Sequence, residues 1–268
     1  MLYFIATPIG NLKDISYRAV ETLKEVDEIA CEDTRHSLTL LSAYGIKKPL
    51  FSYHKFNERE ECEKIVQKLK DGKNIAVISD AGMPVISDPG SVLINALREN
   101  GLEFTVIPGA NAALSALILS GFNAERFCFL GFLPEKKSDR ENLLNEYKNI
   151  SATLIFYSAP HDVKKDIETL FSVLGERNAA AVKEITKIHE RVEFFNLKDG
   201  LKSEPKGEYV LIVEGAKKNA EYDNLSEEEH IKMYVDGGMD KKEALKRVAK
   251  ERGVPKSSLY KYTIKDKD

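Results

Sequence analysis

Cysteine is scarce: Cys31, Cys62 and Cys128 are widely spaced, odd in number and form no CxxC pair. That argues against a disulfide framework and a cysteine zinc site, and it fits a reducing cytoplasm. The five histidines (36, 54, 161, 189 and 230) show neither HxxxH nor HxH spacing, so no metal is expected. No apolar run is long enough to span a membrane. The first one, residues 2–6, is too short for a signal peptide and has no basic segment before it. GxGxxG and GxxxxGK[ST] are both missing, which removes support for a dinucleotide fold and for a P-loop NTPase. There is no GxSxG elbow either, so acyl-enzyme chemistry has no carrier.

What is present suits a soluble globular protein with a real core: 43% apolar and 31% charged residues over 268 positions. That length holds two modest domains, or one with appendages. The net charge of −3 is unevenly spread. Residues 240–268 carry ten Lys/Arg and five Asp/Glu, a net of +5, which leaves −8 on the rest. A basic tail on an acidic body reads either as a polyanion-binding element or as a solvated helical face.

Short apolar runs alternate with amphipathic ones. Strands are predicted at 2–6, 28–31, 50–53, 74–79 and 104–107. Helices are predicted at 16–26, 35–44, 58–69 and 111–119. That alternation implies a largely parallel sheet covered on both faces. Composition breaks at Gly121-Phe122-Asn123, so domains are expected over 1–122 and 123–218. In the second, strands are predicted at 127–132, 153–158, 179–184, 192–195 and 209–213, with a helix at 161–174 and a polar stretch at 134–140. More consecutive strands imply a more mixed sheet. The tail, 219–268, reads as a small basic helix-turn-helix: helical from Ser226, again over 240–252, a turn at 253–255 and a short helix at 256–264.

The most informative stretch is SDAGMPVISDPG, residues 79–90, at the carboxyl end of a central parallel strand. Open α/β sheets bind ligands at that edge. The connection is longer and stiffer than a strand-to-helix turn requires. Its end, Asp88-Pro89, reads as an N-cap followed by a first-turn proline. Other strand ends on the same edge carry polar or small residues. ATPIGN (6–11) is either a plain turn stiffened by Pro8 or a close backbone approach to a ligand. In CEDTRH (31–36), Asp33 reads as a helix cap and Arg35 as a phosphate contact. PGANAA (108–113) puts small residues and free N–H groups at a helix start. With FYSAPH (156–161) and EITKIHE (184–190) in the second half, these ends suggest a cleft between two domains.

Together with SYHKFNERE (52–60), FLPEKK (132–137) and KEITKIHE (183–190), these motifs closely resemble the bacterial small-subunit ribosomal RNA 2′-O-methyltransferases, a branch of the tetrapyrrole methylase superfamily. The resemblance runs in order from about residue 2 to residue 217. It implies two α/β domains with S-adenosylmethionine held in the cleft between them, and a homodimer. On this chain it implies a cofactor site built from Pro8, Ile9, Gly10, Asp80, Ala81, Gly82, Met83, Ala112 and Ala113. Phe156, Tyr157, Val213, Glu214 and Gly215 should cover it from the second domain. Three positions depart from the pattern: Met83 stands where threonine is usual, Ser158 where glutamate is common, and Asp162 where arginine is usual.

The chemistry implied is in-line methyl transfer to the ribose 2′-oxygen of a decoding-centre cytidine in 16S ribosomal RNA, as RNA or assembled subunit. That hydroxyl is a poor acid, so a base should help, with Asp33, Glu184 and His54 as candidates. Arg35, Arg59 and Lys187 would meet RNA phosphates, and the tail would add nonspecific affinity. Two rivals stand beside this reading: methylation of a corrinoid or porphyrinoid precursor, and a non-catalytic RNA- or nucleotide-binding adaptor. The basic tail and the charges of residues 32–36 count against the first. Cofactor affinity without turnover would favour the second.

Overall fold

A computed structural model describes residues 1–216, 225–252 and 254–262, in two compact units. The larger comprises Met1–Lys148 and Ala152–Glu214 and contains both sheets. Its first sheet is built from β1 (Leu2–Ile5), β2 (Glu28–Cys31), β3 (Leu50–Ser52), β4 (Ile75–Ile78) and β5 (Phe104–Ile107), ordered β3-β2-β4-β1-β5. All its pairings are parallel, and Ile5 stands level with Ile78 and Ile107. Every strand therefore ends at one edge, and the loops that follow share it.

The connecting helices are α1 (Tyr17–Glu25), α2 (Thr34–Ala43), α3 (Glu58–Lys70), α4 (Ser91–Glu99) and α5 (Ala112–Ser120). Local chemistry sets several of their starts. The Ser16 side chain accepts the Ala19 N–H, Asp33 that of Arg35, and Asn111 that of Leu114. Gly121, at φ 65°, ends α5. One core, including Leu2, Phe4, Ile65 and Leu93, fills one face of this sheet, and a second, including Ile5, Leu23, Ile29 and Leu41, fills the other.

The second sheet contains β6 (Phe127–Phe132), β7 (Thr153–Ser158), β8 (Asn178–Lys183), β9 (Arg191–Asn196) and β10 (Tyr209–Val213), ordered β6-β7-β10-β8-β9. Only β6 and β7 pair in parallel, so the sheet is mixed, as the run of strands implied. Helices α6 (Lys137–Tyr147) and α7 (Val163–Leu174) lie between its strands. Helix α5 joins the two sheets. It leaves β5, yet Ala113, Ala116 and Leu117 pack on Ile155, Val182 and Ile212 of the second sheet.

Two expectations need correction. The polar stretch 134–140 leads directly into α6, whose Arg140 and Leu144 are buried. Asp88 does not cap α4. That helix begins at Ser91, its N-cap is Gly90 at φ 145°, and no side chain caps it.

The smaller unit, Asn149–Ser151 with residues from Gly215 onward, holds α8 (Glu227–Asp236), α9 (Lys241–Arg252) and α10 (Lys256–Leu259). Ser226 and Glu229 form a reciprocal capping box on α8. Ile231, Leu245, Val248 and Leu259 make a separate small core. Gly253 of the expected turn, and residues 263–264 of the expected last helix, lie outside the described residues. Among the described residues no helix is long and apolar enough to cross a membrane.

Candidate active site

The shared edge of the first sheet faces β7, β8 and β10 of the second around a cavity of about 380 Å³. Asp80 to Met83 and Ile86 to Asp88 form one wall, with Ile9, Asn111 and Ala112 beside them. Tyr157 to Pro160, Val182, Ile185 and Glu208 to Val210 form the other, with Phe132 at its side. A cavity of this size, largely apolar with a few converging polar groups, is the usual form of a small-molecule site.

Close backbone packing brings the loops together. Thr7 and Gly82 exchange two backbone hydrogen bonds, at 2.9 and 3.1 Å, and the Thr7 hydroxyl donates to the Ser79 carbonyl. A Cβ on Gly82, at φ 82°, would stand 3.2 Å from Ile9 Cγ2. One on Gly109 would stand 2.8 Å from Ala6 Cβ. The glycines thus let three loops converge where side chains would hold them apart.

Strain gathers at the same place. Among the described residues, the non-glycine positions with positive φ are Val85 (75°), Ser87 (66°), Glu184 (50°) and Thr186 (66°). All lie in the two loops bordering the cavity. Such conformations cost on the order of 1–3 kcal/mol each and persist where the surroundings over-determine them.

The cavity carboxylates differ in their surroundings. The Asp80 carboxylate accepts the Asp33 N–H at 3.3 Å, and Glu208 is ion-paired to Lys187 at 2.8 Å. Asp88 is pushed up to about 6, first by burial, then by the charges of Glu32 and Asp80, with Ser79 opposing. Burial and Asp80 also raise the Glu32 carboxyl. Behind the wall, Ser158 donates to Asp166 at 2.6 Å, and Asp166 accepts from buried Arg140 at 2.7 Å. Arg140 also donates to the Pro134 carbonyl, so a buried ion pair ties the cavity-lining Ser158 to the loop after β6.

The model for "Tetrapyrrole (Corrin/Porphyrin) Methylases" matches residues 1–199. The chain belongs to the tetrapyrrole methylase family. It is 43% identical to the "Ribosomal RNA small subunit methyltransferase I" of Halalkalibacterium halodurans, over 97% of this chain and 93% of that one. The protein of the same name from Thermotoga maritima is 40% identical, over 80% of this chain and 98% of its own. A solved structure titled "Crystal structure of diphthine synthase" has a TM-score of 0.65 at 18% identity, over 80% of this chain and 89% of that one, and so shares the fold.

Of the residues carried over from the tetrapyrrole methylase pattern, Ile9, Asp80, Ala81, Gly82, Met83, Ala112 and Tyr157 line the cavity. Gly10 abuts the loop after β8, and Ala113 packs into the core under α5. Pro8, between Thr7 and Ile9, is not on the lining. Phe156 is not on it either, because successive side chains of a strand alternate and Phe156 enters the opposite core. Val213 is also outside. Strand β10 runs antiparallel to β7, so Tyr209 sits beside Ser158 at the cavity and Val213 beside Leu154 at the far end. Glu214 instead accepts from Asn178, and Gly215 belongs to the smaller unit.

None of the three expected bases lines the cavity. Asp33 is held down to about 2 by its hydrogen bonds to Arg35, and the pair stands 2.8 Å apart. Glu184 accepts from the Glu208 N–H and from Lys187, and is a brace. The Nδ1 of His54 is buried with no hydrogen-bond partner among the described residues, and Phe56 lies against its ring. Among the expected phosphate contacts, Arg35 is taken by Asp33 and Lys187 by two glutamates, while Arg59 is exposed. Met83 lines the cavity in place of threonine, and Asp162 pairs with His161 at 3.2 Å. Sequence reasoning missed Asp88, Glu208, Tyr209 and Val210. Asp88 was inside the motif but carried a helix-cap signature. No group of three or more His, Cys, Asp or Glu among the described residues is arranged to hold a metal.

Proposed function

We propose that this methylase transfers a methyl group from S-adenosylmethionine to the ribose 2′-oxygen of a cytidine in the decoding centre of small-subunit ribosomal RNA. The observation that carries the reading is the 43% identity, over 97% of the chain, to a protein named as a small-subunit ribosomal RNA methyltransferase.

The residues present fit the cofactor. Gly82 and Gly109 open a backbone cradle that Cβ atoms would fill. Ile9, Ala81, Ala112 and Val210 would offer small apolar surface to an adenine, and Asp80 would offer a carboxylate to a sulfonium charge. When bound, the cofactor supplies an electrophilic methyl. The chain's own part is to hold the acceptor hydroxyl in line, exclude water and take up its proton. Tyr157, packed edge-on against Phe129 and Phe132, gives that pocket a rigid apolar wall.

RNA is proposed to lie along the strand-end rim. Phe56 is 95% exposed there, between Lys55 and Arg59, an aromatic face for a base flanked by cations for phosphate. A homodimer is proposed through α5 and the β9 edge. Helix α5 is apolar all round yet leaves Leu114 and Ile118 exposed, and Phe194 of β9 is exposed as well. The lack of paired cysteines fits a cytoplasmic site of action.

The test is incubation of the purified protein with labelled S-adenosylmethionine and either naked 16S RNA or small subunits, followed by nucleoside analysis. A 2′-O-methylcytidine is expected. Cofactor binding with no methyl in either RNA would leave the adaptor reading standing, and pigment retained through purification would favour a corrinoid substrate.

A further inference from the structure

Three carboxylates line the cavity, Asp80, Asp88 and Glu208, and their partners separate them. Asp80 is engaged by the Asp33 backbone, and Glu208 is neutralised by Lys187. Asp88 has no Lys, Arg or His within ion-pair distance among the described residues. The charged groups acting on it are acidic: Glu32 from the loop after β2 and Asp80 from the loop after β4. The Ser79 hydroxyl donates to the Gly82 carbonyl at 3.2 Å, and Tyr157 of β7 feels the Asp88 charge from the opposite wall. Glu58 of α3 is directed elsewhere, accepting the Gly90 N–H at 2.8 Å.

A carboxylate in this position is more basic than an exposed one, because burial and like charge both disfavour its ionised form. It is also held in place. Ser87 at φ 66° and Gly90 at φ 145° bracket it, and α4 uses neither Asp88 nor any other side chain as a cap. Asp33, Glu184 and His54 are off the cavity, so they do not compete for a proton released inside it.

We propose that Asp88 is the group that accepts the proton of the hydroxyl being methylated, an assignment that rests on the ribose-oxygen reading above. The hydroxyl proton passes to an Asp88 carboxylate oxygen as the hydroxyl oxygen bonds the methyl carbon. The carbon–sulfur bond breaks with its electron pair left on sulfur, which becomes a neutral thioether. Asp88 afterwards returns the proton to water.

The test uses the full chain with Asp88→Asn, which keeps shape and removes basicity. The single-turnover rate of ribose methylation is expected to fall at least about 100-fold. S-adenosylmethionine affinity by calorimetry is expected to stay within about twofold, a readout independent of turnover. The wild-type rate should lose activity on acidification through a limb near pH 6, the range of the Asp88 carboxyl, and the variant should lack that limb. Asp88→Ala, with rate restored by added formate, is the second variant should the amide disturb folding. An Asp88→Asn rate within about threefold of wild type overturns the proposal, as does a rate loss wholly matched by lost cofactor affinity. Wild-type protein that methylates a base and not the ribose overturns the underlying reading instead.

Discussion

Gly10, from the loop after β1, lies against Lys187, from the loop after β8: a Cβ on Gly10 would stand 2.5 Å from Lys187 Cγ. Lys187 cannot simply swing away, because Glu184 and Glu208 hold its Nζ at 3.1 and 2.8 Å. The Ile185 carbonyl, 3.1 Å from the same point, blocks another escape. Gly10→Ala is therefore expected to push residues 6–11 off the cavity and weaken cofactor binding by about tenfold, near 1.4 kcal/mol. Calorimetry on Gly10→Ala, Lys187→Ala and the double variant checks this. Because both changes act at one contact, the double variant should bind better than Gly10→Ala alone.

Thr186 makes the opposite prediction. It is a β-branched residue at φ 66°, and its hydroxyl is buried with no hydrogen-bond partner among the described residues. Glycine there relieves both costs, offset in part by the greater conformational entropy it gives the unfolded chain. Thr186→Gly is expected to raise stability by about 1 kcal/mol, read from the urea midpoint. A lower midpoint would mean that Thr186 contacts outweigh the strain.

These positions also mark where sequence reading stops. Runs such as Ile75–Ile78 announce buried strands, and Ser16 and Asn111 announce helix starts, because both signals are local. Helix α6 was hidden because a charged residue, Arg140, occupies a core position that only its distant partner Asp166 makes tolerable. Asp88-Pro89-Gly90 carries a locally sound cap signature, yet α4 starts after Gly90, whose N–H is taken by Glu58 of α3, a partner distant in sequence. Val213 was carried to the site by the family resemblance, and nothing in an apolar run tells which way it crosses its neighbours. Once β10 is antiparallel to β7, the opposite end of the strand meets the cavity.

The raised Asp88 carboxyl has a stability consequence. Its folded-state value, about 6, lies above the ordinary 3.8, so the folded protein holds a proton that the unfolded chain has released. Its contribution is fully present below about pH 4 and is lost as pH rises through about 6. Asp88→Asn should therefore be more stable than wild type at pH 8, by no more than about 3 kcal/mol, and the gap should close toward pH 4. Urea melts at both pH values measure it.

In the smaller unit, fully buried His230 accepts from Arg252 at Nδ1, at 3.0 Å, and its Nε2 stands 3.1 Å from Glu251. Burial first, then the Arg252 charge, lowers its affinity for a proton, with Glu251 opposing. The unfolded segment binds a proton near pH 6.5 while the folded one resists, so helical-tail stability is held above about 6.5 and lost below it. Amide exchange on the full chain should show α8 and α9 opening faster at pH 5.5 than at 7.5, with strands β1 and β4 unaffected.

The tail's role can be separated from the chemistry. The Thermotoga maritima relative aligns over 98% of its own length with only 80% of this chain, so a protein of that name exists without a counterpart to part of this one. The larger unit here carries the cavity and four apolar cores of its own. The smaller unit presents exposed Lys242, Lys246 and Lys250 along α9. A chain ending at residue 216 is therefore expected to fold and to bind cofactor with unchanged affinity. Its RNA affinity should fall, and the slope of log affinity against log salt should flatten by about 0.7 for each phosphate that the tail had neutralised. Filter binding across a salt series measures that slope. An unchanged slope would assign the basic residues to a solvated face and leave RNA binding to the strand-end rim around Arg59.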